Sequence, residues 1–137
     1  MSAEFHLRLA GALQLALAAV HLWFPKYLNW KAELSRLSRL NHQIFLVHTV
    51  FICYVLAAMG LLSLFAAETL LQPALLSQLV LGGLAGFWGL RLSFQWFVYD
   101  RRLWRGNTQR TLIHVGMSLL WLYLAAVYAG PLLSGGP

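Results

Sequence analysis

The sequence predicts an all-α integral membrane protein, a four-helix bundle of two antiparallel αα hairpins with a short interfacial helix between the first and second spans. Three observations predict it. Of 137 residues, 60% are hydrophobic and 10% charged, whereas a soluble domain carries about 25% charged residues to cover its surface. The apolar residues gather into four runs, roughly 5–24, 44–67, 74–99 and 111–133, each matching the ~20 residues that a helix needs to cross a hydrocarbon core of ~30 Å. None of these runs alternates polar with apolar residues as a barrel strand must, and in lipid a helix satisfies its own backbone. The length suits one domain over residues 1–137.

The first run imitates a secretory signal, with Arg8 ahead of an apolar stretch and Ala16-Leu17-Ala18 as a small-residue triplet. Glu4 beside Arg8, and the continuation through His21 to Phe24, favour a retained spanning helix. After Pro25, Leu34, Leu37 and Leu40 recur every three residues with Arg36 and Arg39 on another face. That pattern predicts an interfacial helix over 29–41, with Asn29 as its N-cap. Between the second and third spans, Glu68 to Pro73 reads as a tight turn, with Pro73 in the first turn of the third helix. The third span carries Gly82 and Gly86, a spacing that lets another helix approach closely, either within the bundle or from a partner subunit or second copy. Gly106-Asn107 marks a turn, and Thr108 is the expected cap of the fourth span.

Charge gives the orientation. Eight of the ten basic residues fall in two loops, Lys26, Lys31, Arg36 and Arg39 in one and Arg101, Arg102, Arg105 and Arg110 in the other. The positive-inside rule places both loops in the cytoplasm and both termini outside, in the inner (cytoplasmic) membrane if the cell is bacterial. The net charge of +6 then reflects contact with the lipid bilayer and its anionic headgroups. Tyr27, Trp30, Tyr99 and Trp104 interleave with the basic residues as an interfacial aromatic belt, and a nucleic-acid partner is not expected. The single cysteine, Cys53, excludes an intrachain disulfide, a CxxC redox pair and a cysteine-rich zinc site.

Chemistry is sought where polar residues enter the spans. His21, His48, Gln95 and His114 lie within about a turn of the cytoplasmic ends of their helices and share one layer. Arg91, four residues before Gln95, lies on the same face and deeper; an arginine at that depth is expensive unless it pairs, snorkels or serves a site. Three uses of the layer follow. His21, His48 and His114 as ligands of one transition metal leave an open position for water or substrate, with Arg91 and Gln95 on an anionic substrate group. His48 and His114 as axial ligands of haem b are the second. Histidines that bond to backbone or headgroups are the third. No HExxH or Glu-x-x-His pair selects among them. The functional expectation is a small membrane protein with a histidine-lined polar pocket near the cytoplasmic leaflet, a metal- or haem-binding enzyme acting on a lipid-phase substrate. Its alternative is a non-enzymatic accessory subunit of a larger membrane complex.

Overall fold

The computed structural model of the protein describes residues 2–134, Arg101 by its backbone alone. It is all-α, and among the described residues there is no strand. The elements are α1 (Ala3–Tyr27), α2 (Trp30–Glu33), α3 (Arg39–Phe65), α4 (Ala67–Leu70), α5 (Leu75–Phe97) and α6 (Thr108–Leu133), with 3-10 turns at Leu34–Arg36 and Arg101–Leu103. Helices α1, α3, α5 and α6 overlap the four apolar runs, and each is long and apolar enough to cross a membrane.

The helix expected over 29–41 is not one element. Asn29 takes the left-handed conformation (φ 50°, ψ 45°) that asparagine tolerates just past a helix end. Its carbonyl, rather than its side chain, accepts the N–H groups of Ala32 and Glu33. Helical geometry then lasts only from Trp30 to Arg36, and Leu37 is extended (φ −77°, ψ 151°). The three-residue leucine spacing thus crosses a break, because Ser38 starts a new helix: its Oγ accepts the Asn41 N–H at 3.3 Å, so Arg39 to Asn41 open α3. Two other expected boundaries shift by a residue or two. Asn107, not Thr108, caps α6 through an Oδ1 that accepts the Arg110 N–H at 3.0 Å. Pro73 precedes the α5 cap residue Ala74 and lies outside the helix.

The chain forms two compact units, Arg8–Ala67 and a second made of the first turn of α1 with the chain from Glu68 onward. In Arg8–Ala67, α1 and α3 meet backbone to backbone. A Cβ built on Gly11 would stand 2.7 Å from the Gly60 carbonyl oxygen and 2.7 Å from the Leu64 nitrogen, and one on Gly60 would stand 2.9 Å from the Gly11 oxygen. Only glycine on both helices permits this approach, which in lipid supplies van der Waals contact where no hydrophobic force acts between helices. Nearby, the Arg8 guanidinium donates to the Leu64 carbonyl at 3.1 Å, satisfying one of the last-turn acceptors that a helix cannot pair itself.

In the second unit α5 packs on α6. The buried residues of α5 are Ser77, Leu81, Leu84, Trp88 and Gln95, and those of α6 are His114, Ser118, Trp121, Leu124 and Tyr128. Both sets follow the three-and-four spacing of a helix face turned to a neighbour. At the centre Trp88 and Trp121 stack at 5.1 Å with planes 12° apart. Within this unit the approach expected at Gly82 and Gly86 is not made: among the described residues a Cβ on Gly82 comes no nearer than 3.9 Å to Leu132, and one on Gly86 meets nothing within 4 Å.

Candidate functional site

Arg91, Gln95 and His114 converge on the α5–α6 hairpin. Arg91 lies six residues before the end of α5 and His114 six residues after the start of α6, so both sit about 9 Å from the same end of the hairpin. Arg91 donates from Nη1 to Gln95 Oε1 at 3.1 Å, across one helical turn. The Gln95 amide nitrogen lies 2.8 Å from His114 Nδ1. Gln95 and His114 are 7% and 8% exposed, so burial requires that their polar atoms be paired.

The direction of these bonds follows from donor chemistry. A guanidinium only donates, so the Gln95 atom facing Arg91 is its oxygen and the atom facing His114 is its NH₂. His114 Nδ1 therefore accepts, and the neutral ring carries its proton on Nε2. Arg91 fixes the glutamine, and the glutamine fixes the tautomer.

Aromatic rings enclose the chain of bonds. The Arg91 guanidinium carbon lies 4.9 Å from the centroid of Trp121 and 5.7 Å from that of Tyr99, within cation–π range. Trp104 stacks on His114 at 3.9 Å with planes 16° apart, and Trp96 meets the same ring edge-on at 5.5 Å. Trp104 belongs to the α5–α6 connection, and the first turns of α6 hold it in place. The Trp104 carbonyl accepts the Thr111 hydroxyl at 3.0 Å and the Asn107 N–H at 3.1 Å, while the Arg110 guanidinium donates to the Leu103 carbonyl at 3.3 Å. Gly106, at φ 80°, supplies the left-handed residue that lets the chain turn back there. Ser118 completes the face, its Oγ donating to the His114 carbonyl at 2.8 Å.

Arg91 has no acid partner among the described residues; its contacts are Gln95, Trp121 and Tyr99. Four of its five N–H donors are not engaged by Gln95. This half-buried cation on a membrane-length helix has its charge neutralised by nothing that the site itself supplies.

The other two expected ligands lie in the unit Arg8–Ala67. His21 and His48 each place Nδ1 2.8 Å from the carbonyl four residues back, Leu17 and Ile44 respectively. A carbonyl only accepts, so both rings donate from Nδ1, which in the neutral ring leaves the lone pair on Nε2, the state in which a histidine ligates metal. His114 shows the opposite arrangement, with Nδ1 accepting and Nε2 protonated, and does not fit as an Nε2 ligand of a metal or haem iron. Among the described residues no three His, Cys, Asp or Glu side chains gather to hold a metal ion.

Sequence reasoning paired Arg91 with Gln95 and missed the aromatic enclosure. The i, i+4, i+7 series His114, Ser118, Trp121 was available as a face signal, whereas nothing in the sequence brings Trp104 back over His114. No protein-family model matches the chain, and no curated protein or solved structure matches it.

Proposed function

We propose that the protein is an integral membrane protein that binds the acidic headgroup of an amphipathic, lipid-phase molecule at Arg91. The observation that carries this reading is the uncompensated guanidinium: Arg91 is held by Gln95 Oε1 and by the faces of Trp121 and Tyr99, with no carboxylate beside it. A carboxylate or phosphate matches the free donors of a guanidinium, and an intramembrane arginine without such a role is a standing cost. His114 adds a second donor through its Nε2–H. On the positive-inside reading, the loop with Trp104 and its arginines faces the cytoplasm, which sets the site near the depth of the cytoplasmic-leaflet headgroups.

The histidine-lined pocket of the sequence reading thus narrows to one histidine. A metal or haem centre at His21, His48 and His114 draws no support from the tautomer of His114, and no reaction step is assigned to either group.

The test is lipid retention. Full-length protein extracted gently and weighed by native mass spectrometry is expected to keep a fatty acid or an anionic phospholipid in preference to phosphatidylcholine, and offering the two anions separately tells carboxylate from phosphate. Arg91→Gln removes charge-assisted bonds worth about 1.5–3 kcal/mol, a loss of ~10- to 100-fold in affinity. Equal retention of anionic and zwitterionic lipid by both proteins would overturn the proposal.

A second reading, an accessory subunit of a membrane complex, is favoured by the open glycine face of α5. Gly82, Gly83 and Gly86 are exposed, and Cβ atoms on Gly83 and Gly86 meet nothing, so a partner helix has room to approach as glycine pairs allow in lipid. Recovery of the protein in fixed ratio with a second membrane chain, lost in Gly83→Leu, supports that reading, and an unchanged monomer in both proteins rejects it.

A further inference from the structure

At the opposite end of the α5–α6 unit, where α6 ends and α1 begins, lies a cleft of about 380 Å³ lined by His6, Tyr123, Ala126, Val127, Gly130 and Pro131 among others. Its volume falls within the range of small-molecule sites, roughly 300–1,000 Å³. Its walls are mostly small and apolar, and among the described residues no Asp, Glu, Lys or Arg lines it. Two polar features interrupt them: His6 Nδ1 lies 3.0 Å from the Tyr123 hydroxyl, and Ser134, also in the lining, donates its hydroxyl proton to the Pro131 carbonyl at 3.3 Å.

The His6–Tyr123 pair leaves one donor free whichever way its own bond runs. If the Tyr123 hydroxyl donates to Nδ1, the neutral ring carries its proton on Nε2; if Nδ1–H donates, the Tyr123 O–H is released. Pro131 adds an acceptor. Having no N–H, it leaves the Val127 carbonyl without the helical donor that a residue four positions on would supply, and both residues line the cleft. A mainly apolar recess with one free donor, with the Val127 carbonyl and the Ser134 oxygen as acceptors, and with no charged side chain among its described lining residues suits an uncharged lipid that carries a carbonyl beside a hydroxyl. From this donor and acceptor set we infer that the His6–Tyr123 cleft is a second binding site, for an uncharged acylglycerol, with an ester carbonyl on the His6–Tyr123 donor and the free hydroxyl on the Val127 carbonyl. The inference is independent of the Arg91 site.

The test measures equilibrium binding of radiolabelled 1,2-dioctanoylglycerol to the full chain in detergent, with decylubiquinone as a competitor that has carbonyls and no hydroxyl. Saturable binding near one per chain is expected, with decylubiquinone a weak competitor. Gly130→Leu fills the cleft at a position where a Cβ meets nothing within 4 Å, and lowers affinity at least about tenfold. Because either partner alone still presents a donor, His6→Phe and Tyr123→Phe each change affinity little, while the double variant loses about fivefold, the worth of one hydrogen bond. Non-saturable uptake, affinity untouched by Gly130→Leu and by the double variant, or tighter binding of the quinone would overturn the inference. Helicity measured by circular dichroism confirms that each variant folds; should Gly130→Leu not fold, the comparison of single with double variants decides.

Discussion

Replacing Gly11 by alanine puts a methyl group 2.7 Å from the Gly60 carbonyl oxygen and 2.7 Å from the Leu64 nitrogen. Both obstacles are backbone, so no rotamer change relieves them. Restoring an ordinary contact of about 3.4 Å requires α1 and α3 to part by about 0.7 Å, a strain of the kind that costs about 1–3 kcal/mol in a packed core. The same substitution raises helix propensity by up to ~1 kcal/mol, which masks part of the loss. Gly86→Ala makes the identical propensity change in α5 where the new Cβ meets nothing within 4 Å, so it serves as the reference. The difference between the two variants isolates the packing cost: Gly11→Ala is expected to be less stable than Gly86→Ala by about 1–3 kcal/mol, with Gly86→Ala neutral or stabilised. Reversible unfolding in mixed micelles as the fraction of sodium dodecyl sulfate rises, followed by circular dichroism, measures both. Equal stabilities would refute the backbone contact between α1 and α3.

Gln95→Glu tests the chain of bonds that sets His114. A carboxylate pairs with Arg91 and offers His114 only acceptor atoms, so the ring is expected to turn from the Nε2–H to the Nδ1–H tautomer, read from its ¹⁵N chemical shifts; an unchanged tautomer rejects the inferred bond direction. Asn107→Ala removes the side-chain acceptor that caps α6 at 3.0 Å and is expected to cost about 1 kcal/mol in the same unfolding assay, whereas Thr108→Ala, at the position expected from sequence to be the cap, costs less. Trp104→Ala uncovers the ring that it covers at 3.9 Å, so diethylpyrocarbonate is expected to modify His114 several-fold faster, by mass spectrometry of the digested protein; an unchanged rate argues against the stack.

The sequence by itself determined that this chain is all-α and where its four membrane-length helices run, because hydrocarbon thickness sets a length and backbone satisfaction sets a conformation. It also determined the pairing of Arg91 with Gln95, since residues four apart on a helix share a face. Helix starts at Ser38 and Asn107 depended on which nearby oxygen reached an unpaired N–H, and the 29–41 segment broke where Asn29 turned left-handed. What only the tertiary structure decided is rotation. Hydropathy fixes the depth of a helix and leaves its azimuth to packing, so four polar residues of equal depth were equivalent in sequence. Packing of α5 on α6 brings Gln95 to His114 while His21 and His48 bond to their own helices. The glycines show the same division: Gly82 and Gly86 carry the spacing, but Gly11 and Gly60, 49 positions apart in sequence and joined by no motif, are where two backbones touch.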